Sequence, residues 1–355
     1  MKILFLGAGA FAVPTLAALI AERSPARIAA IITQPDRPAG RGRTLTPTPI
    51  GQFAAEHAPA VPLLKPADVN APEVLAHLAG FDADAAVVIA FGQKLSPALV
   101  ATVRDGRMMN LHGSLLPRWR GAGPVNAAIL HGDAVTGNTV ITIAPRMDAG
   151  LILSRPRTPR PITPLTTAGE LHDALAADGV ELVLEVLGDI PGAFARATVQ
   201  DESLVTKARK LGRADARLSE SLTAAAARAR IHGLTPWPGV SVNLGGLTLK
   251  LLRVMDEPAE QMRPPAAPGG ATPAPHGQQP APDSQPQAPF GTLLDADAGI
   301  LAMADRTRLR ILEAQPAGGR AMTWADLRRG AGRTLTAGVV LSQPIDPPPN
   351  ATAGA

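Results

Sequence analysis

Short apolar runs and longer amphipathic segments alternate along the first half of the chain. Five runs have the length and composition of buried strands: KILFLG at the start, then 27–33, 85–90, 107–112 and 138–144. Helix-like segments lie between or after them at 14–22, 50–57, 71–79 and 170–188. Continuous apolar strands separated by helices predict a mostly parallel sheet that is covered on both faces, in a Rossmann-like α/β domain.

The second half of the chain has shorter strand-like runs with Gly or Asp turns between them. The runs are VSVNLGG, LTLKLLRVM, GTLLDAD, GILAMAD and TRLRILEAQPAGG. This pattern predicts a small, OB-like β-barrel. We predict a catalytic domain over 1–190, a linker over 191–206, a barrel domain over 207–330 and a tail over 331–355.

A proline-rich stretch interrupts the predicted barrel. Residues 263–289 contain 9 prolines among 27 residues, together with Gln and Gly. Such a composition cannot bury an apolar core, because it lacks large hydrophobic side chains. We therefore expect a disordered insertion in a loop of the barrel.

Composition limits the chemistry that is available. The chain has no cysteine, which excludes disulfides and thiolate metal sites, and its seven histidines lack the spacing of metal ligands. The net charge of +4 permits an anionic partner. No apolar run reaches the roughly 18 residues of a membrane span, and no signal-peptide cleavage site follows the first run. We expect a cytoplasmic protein without bound metal.

A glycine-rich turn follows the first predicted strand. Gly7, Gly9 and Ala12 have the spacing of a dinucleotide-binding turn. Such a fold also needs an acidic residue at the end of the second strand, whereas the first acid there, Asp36, already lies in a loop. We therefore interpret the small residues as allowing the helix to pack close to the sheet, and not as a phosphate-binding site. An NAD(P)-binding dehydrogenase is the weaker alternative.

The most specific stretch is MMNLHGSLLPRWRGAGPVNAAIL, residues 108–130. Asn110 and His112 are two apart at the end of a strand, so their side chains leave the same face. Gly113 then breaks the strand at the sheet edge where open α/β folds bind ligands. Asp148, in RMDAG, follows another strand and could orient His112. An amide, an imidazole and a carboxylate at one edge can catalyse acyl transfer to an amine.

The loop after His112 combines apolar side chains with Arg118 and Arg120. Such a combination suits a flat, partly charged ligand. No covalent nucleophile is indicated, because the chain lacks cysteine and Ser114 does not lie in a nucleophile elbow.

These motifs together resemble those of the methionyl-tRNA formyltransferase family. TQPDRPAGRGR, VVIAFGQKL, NLHGSLLPRWRGAGPV, RMDAGLIL, TPWPG and LEAQPAGGRAM occur in the order of that family and span most of residues 1–330. The resemblance implies transfer of a formyl group from 10-formyltetrahydrofolate, a co-substrate and not a tightly bound cofactor, to the α-amino group of methionyl-initiator tRNA. It implies a monomer that acts in translation initiation.

The resemblance also implies roles for particular residues. His112 would move protons and stabilise charge, Asn110 would bind the developing oxyanion, and Asp148 would orient and charge His112. The residues implied for folate binding are Ser114, Leu115, Leu116, Pro117, Ile89, Phe91 and Gly92. Those implied for tRNA binding are Arg37, Arg41, Arg43, Lys207, Arg209 and Lys210. Residues 200–253 carry 9 Lys or Arg against 4 Asp or Glu, which suits a tRNA backbone.

The sequence departs from the family pattern in a few places. Ser219 and Glu220 stand where the family usually has an acid and Trp, and Ala149 stands where Thr is common. Two further alternatives remain open. A glycinamide ribonucleotide-type or other folate-dependent formyltransferase would share the chemistry, and a tRNA-binding protein without catalysis would share the basic second half.

Overall fold

Two units divide the chain between Lys210 and Leu211. The computed structural model describes residues 1–22, 24–39, 44–257 and 288–343. The first unit is Met1–Lys210 and the second is Leu211–Ala355. Over the described ranges, no helix is long and apolar enough to cross a bilayer. Within the same ranges, no group of three or more His, Asp or Glu side chains is placed so that it could hold a metal ion.

The first unit contains thirteen strands within the described residues. They are β1 (Lys2–Gly7), β2 (Arg27–Ile32), β3 (Arg37–Ala39), β4 (Thr44–Thr46), β5 (Leu63–Leu64), β6 (Ala85–Ile89), β7 (Met108–His112), β8 (Arg120–Gly121), β9 (Val135–Thr136), β10 (Thr139–Thr142), β11 (Ile152–Ser154), β12 (Arg160–Pro161) and β13 (Lys207–Ala208). Seven form one sheet in the order β11-β10-β7-β6-β1-β2-β5. Its ladders are parallel from β7 to β5, whereas β10 is antiparallel to both β7 and β11. The predicted mostly parallel sheet is confirmed.

Helices cover both faces of this sheet. They are α1 (Val13–Ile20), α2 (Pro49–His57), α3 (Pro72–Ala79), α4 (Pro97–Val100), α5 (Pro124–Leu130), α6 (Ala168–Gly188) and α7 (Ile190–Ala195). Alternate residues of a strand face opposite sides, so Ile3 and Phe5 pack in one core and Leu4 and Leu6 in the other. Helix α6 begins with a capping box, in which Thr167 and Glu170 form reciprocal hydrogen bonds. Its buried side chains pack in the core that contains Ile3 and Phe5.

The glycine turn connects β1 to α1 at close quarters. A Cβ at Gly7 would lie 3.1 Å from that of Ala12, and one at Gly9 would lie 3.2 Å from that of Ala90. The amide of Gly9 also donates to the carbonyl of Ala90 at 3.2 Å. Pro14 occupies the first turn of α1. The small residues therefore let the helix and the neighbouring strand approach, as the structural interpretation of this turn requires.

The second unit contains an antiparallel sheet. Its described elements are α8 (Ala224–Gly233), β14 (Val240–Leu244), β15 (Leu247–Glu257), β16 (Leu293–Asp295), β17 (Ile300–Ala302), β18 (Arg308–Pro316), β19 (Met322–Thr323) and α9 (Trp324–Arg329). The strand order is β14-β15-β18-β17-β16, and β19 pairs with β18. Bridges join Ser342 to Asn243 on β14 and Val340 to Thr292 beside β16. The segment after α9 thus connects the two edges of the sheet, which curls into a half-barrel where the sequence predicted a small OB-like β-barrel.

The unit boundaries differ from the predicted ones in two places. We predicted that the barrel domain begins at residue 207, but β13 pairs with β8 and residues 207–210 belong to the first unit. The tail was expected over 331–355, but residues 331–343 include the bridged segment and the buried side chains of Leu335 and Leu341. Residues 263–287 of the predicted insertion and 344–355 of the tail lie outside the described residues.

Candidate active site

His112 ends β7 at the edge of the main sheet. Its side chain is nearly buried, with 6% of the residue exposed. The Nε2 atom lies 2.9 Å from the carbonyl oxygen of Trp119. A carbonyl oxygen can only accept, so Nε2 carries the hydrogen of this bond. The other ring nitrogen, Nδ1, is therefore the one that can gain or lose a proton.

Trp119 belongs to a loop that is bonded at several points. Its φ of +63° lies in the left-handed region, which a bulky residue rarely adopts. The backbone amide donates to Thr206 Oγ1 at 2.8 Å, and the indole Nε1 donates to Asp133 Oδ2 at 2.6 Å. Arg118 also donates to the carboxylate of Asp133. These contacts fix the carbonyl that orients His112.

Asp133 is negatively charged in this arrangement although it is partly buried. Burial by itself favours the protonated carboxyl, but hydrogen bonds from Arg118 and Trp119 outweigh it and hold the pKa of Asp133 below its usual range. The charge therefore strengthens both contacts to the loop that carries the carbonyl of Trp119.

Asp148 reaches the imidazole from the loop after β10. Its Oδ2 lies 3.6 Å from His112 Nδ1, and the same oxygen accepts from the Gly121 amide at 2.8 Å. The φ of Asp148 is +53°, a left-handed conformation that aims the carboxylate at the imidazole. A separation of 3.6 Å is longer than a direct hydrogen bond, so a proton on Nδ1 would be attracted to the carboxylate without being fixed to it.

Asn110 lies in the middle of β7, two residues before His112. It is half-buried, opposite Ile141 of β10 and beside Val88 of β6. The spacing of two places its side chain on the same sheet face as that of His112. The structure thus brings His112 and Asp148 into contact range, and Asn110 lies on the adjoining surface of the same strand.

The two arginines that we expected to face a ligand are both paired within the protein. Arg118 donates from Nε to Asp133 Oδ2 at 2.9 Å. Arg120 is 8% exposed and donates to Gln200 and Glu202, each at 2.9 Å. Burial therefore excludes Arg120 from direct contact with a ligand, whereas Arg118, with 46% of its side chain exposed, still lines the cavity that Leu115 lines.

The predicted folate residues fall into buried and accessible groups. Ser114 and Leu116 are fully or nearly fully buried, as are Ile89 and Phe91. Leu116 packs with Ile141 and Ile152, and its carbonyl accepts from Arg155. The remaining three have accessible surface, and they are Leu115, Pro117 and Gly92. Leu115 lines a cavity of about 250 Å³.

The segment that contains Phe91 and Gly92 is hydrogen-bonded to Gln34 in the segment that leads into β3, which begins at Arg37. Gln34 Nε2 donates to the carbonyl of Phe91 at 2.8 Å, and Arg37 donates to Gln34 Oε1 at 2.6 Å. Gly92 has a φ of +80°, and a Cβ there would lie 2.5 Å from Gln34 Nε2. The two segments therefore meet through one glutamine side chain.

The predicted tRNA contacts that the structure describes are all exposed. Arg37, Lys207, Arg209 and Lys210 lie at the surface of the first unit. Arg41 and Arg43 lie outside the described residues. Their tRNA-binding role stays a prediction.

Known proteins match most of the chain. Residues 1–187 match the family model described as formyl transferase, and residues 210–332 match the one described as formyl transferase, C-terminal domain. The methionyl-tRNA formyltransferase of Methylococcus capsulatus is 38% identical and covers 92% of this chain and 96% of its own length. That of Chromohalobacter salexigens is 37% identical and covers 97% and 98%.

The chain belongs to the methionyl-tRNA formyltransferase family. This membership confirms the resemblance that the motifs indicated, and it favours a formyltransferase over a dehydrogenase. Solved structures of other formyltransferases share the fold. An N-formyltransferase from Helicobacter canadensis, in complex with folinic acid and dTDP-3-aminofucose, superimposes with a TM-score of 0.59 at 12% identity. The match covers 88% of this chain and 98% of that one.

One residue of the site was missed by sequence reasoning. Gln200 is buried and donates to the carbonyl oxygens of Asp148 and Gly150, each at 2.8 Å. It lies 52 residues beyond Asp148 in a segment that we treated as a linker. An isolated Gln-Asp-Glu triplet in the sequence carries no signal for such a contact.

Proposed function

We propose that the protein transfers the formyl group of 10-formyltetrahydrofolate to the α-amino group of methionyl-initiator tRNA. The approach of Asp148 to within 3.6 Å of His112 carries this proposal, since it joins the polar residue that ends β7 to one in the loop after β10, in a chain of this family. The folate is a co-substrate that leaves after each turnover. Translation initiation is the process that would use the product.

The reaction needs two proton movements. The amine nitrogen of methionine bonds to the formyl carbon and must lose a proton, while the bond from that carbon to N10 of the folate breaks and N10 gains one. His112 can accept the first proton at Nδ1, because Nε2 already donates to Trp119. The imidazolium then faces Asp148, whose negative charge stabilises it. The same proton can afterwards pass to N10.

The tetrahedral intermediate carries a negative oxygen. Asn110 is the nearest amide side chain along β7 to His112, and its NH₂ group can donate to that oxygen. A donor aimed at developing charge in a partly buried site contributes roughly 3–4 kcal/mol to the transition state. No covalent intermediate with the protein is required.

The substrates bind at surfaces that the structure leaves accessible. Gly92, Leu115 and Pro117 are the predicted folate residues that can contact a ligand directly, whereas Ile89, Phe91, Ser114 and Leu116 shape the segments that hold them. Exposed Arg37, Lys207, Arg209 and Lys210 carry positive charge that suits tRNA phosphates.

A direct assay tests the proposal. Purified protein is incubated with methionyl-initiator tRNA and 10-formyltetrahydrofolate, and base hydrolysis of the tRNA is followed by chromatography for formyl-methionine. We expect stoichiometric product, and we expect His112→Ala to lose at least about three orders of magnitude in kcat while tRNA binding persists. Folded protein that yields no formyl-methionine, or His112→Ala with full activity, would contradict the proposal.

A further inference from the structure

A buried amide side chain lies behind the loop that presents Asp148. Gln200 is 4% exposed, and its Nε2 donates to the carbonyl oxygens of Asp148 and Gly150, each at 2.8 Å. Both amide hydrogens are used in this way. The side chain therefore holds the backbone on either side of Ala149 and leaves the carboxylate of Asp148 free for His112.

The orientation of this amide is determined by its other neighbour. Gln200 Oε1 accepts from Arg120 Nε at 2.9 Å, and a terminal nitrogen of Arg120 donates to Glu202 at 2.9 Å. A guanidinium group can only donate and a carbonyl can only accept, so the amide cannot rotate by 180° without losing all three bonds. Arg120 and Glu202 thus lock Gln200 in one orientation.

The loop that Gln200 holds has a conformation that needs support. Asp148 has a left-handed φ of +53°, which costs a non-glycine residue about 1–2 kcal/mol. Gly150 lies so close to β10 that a Cβ would overlap the carbonyl oxygen of Thr142. The Asp148 carboxylate is also 2.8 Å from the Gly121 amide. Without the bonds from Gln200, the loop could relax and carry the carboxylate away from the imidazole.

We propose that Gln200 is a positioning residue for catalysis, which acts by holding Asp148 at its working distance from His112. This inference rests on the proposed function, because it concerns the rate of the same reaction. Gln200 contacts no reacting atom. Its effect reaches the imidazole through the backbone of residues 148–150, and a displacement of about 1 Å at such a site can lower a rate by about 10²-fold.

Kinetics of two variants test the role. Gln200→Leu removes all three hydrogen bonds, and Gln200→Glu keeps the acceptor for Arg120 but turns a carboxylate oxygen toward two carbonyls. We expect kcat to fall by about 10- to 100-fold in both. KM for each substrate should stay within about twofold, since Gln200 is buried and offers the substrates almost no surface. A change in KM with kcat unchanged would overturn the inference.

A double variant shows whether the effect passes through Asp148. In an Asp148→Asn background, adding Gln200→Leu should lower kcat by less than about a further threefold, because the group that Gln200 positions has already lost its charge. Fully multiplicative losses would overturn the inference. Inactive wild-type protein would instead count against the proposed function.

Asn138→Leu is the matched control. Asn138 is also a buried amide, and its side chain donates to the carbonyl of Leu175 at 2.7 Å and not to the loop that carries Asp148. We expect a similar loss of thermal stability but an unchanged kcat. NMR of the histidine side chains without substrate supplies a second readout: the His112 signals should shift in Gln200→Leu and Gln200→Glu but not in Asn138→Leu. Unshifted signals in folded Gln200 variants would overturn the inference without reference to activity.

Discussion

The negative charge of Asp148 is the feature whose contribution can be calculated most directly. Asp148→Asn keeps the size of the side chain and an oxygen that can accept from the Gly121 amide, but it removes the charge. The carboxylate lies 3.6 Å from His112 Nδ1, and only 16% and 7% of the two side chains are exposed. Opposite unit charges at about 4 Å attract by about 4 kcal/mol at an effective dielectric constant of ~20. Since about 1.4 kcal/mol corresponds to tenfold in rate, we expect kcat to fall about 10³-fold.

Single-turnover formylation, measured by rapid quenching with enzyme in excess over methionyl-tRNA, isolates this effect from product release. The affinity for tRNA, measured by filter binding, should stay within about twofold. Asp173→Asn is a matched control, because Asp173 pairs with His172 at 2.9 Å at the surface, with 83% of its side chain exposed. It should react at the wild-type rate. A loss below about tenfold in Asp148→Asn would refute the claim that the imidazolium forms beside this carboxylate.

Three further predictions concern stability and binding. Gly150→Ala should lower the melting temperature by at least about 4 °C in calorimetry, because its Cβ would overlap the Thr142 carbonyl; an unchanged melting point would contradict this packing. Hydrogen bonds from Arg118 and Trp119 hold the pKa of Asp133 below its usual range, so they stabilise the fold above about pH 4 and this contribution is lost as the pH falls through the lower folded value. Urea unfolding should therefore show Asp133→Asn to be less stable than wild type at pH 7, and the difference should shrink as the pH falls below about 4; a difference that stays constant would count against the charge. Raising salt from about 50 to 200 mM should weaken tRNA binding at least tenfold, and a flat response would rule out contacts with several phosphates.

Local periodicity accounts for the parts of the site that could be predicted. The strand that carries Asn110 and His112 is apolar at its other positions, so its place in the sheet and the common face of the two side chains follow from a period of two. The following Gly113 indicates the sheet edge. Asp148 follows another predicted strand and so could lie beside His112, and the resemblance to the family implied that the two act together; their separation is 3.6 Å.

Contacts between distant segments account for the parts that could not be predicted. Arg118 and Arg120 looked available for a ligand because their acceptors, Asp133 and Gln200, lie 15 and 80 residues away. Nothing in the local pattern of residues 200–208 indicates that this stretch pairs with β8. Short strands of two residues have no periodicity to detect, and their partners are set by tertiary packing.

The pairing of β13 with β8 determines where the catalytic unit can be separated from the rest of the chain. Gly121 has a φ of +123°, and a Cβ there would overlap the carbonyl oxygen of Ala208, so the two backbones lie in direct contact. A fragment that ended at residue 190, after the last long helix, would lack Gln200. It would also lack Thr206, which accepts hydrogen bonds from the backbone amides of Trp119 and Arg120. A minimal fragment for crystallography or inhibitor screening should extend at least to Lys210.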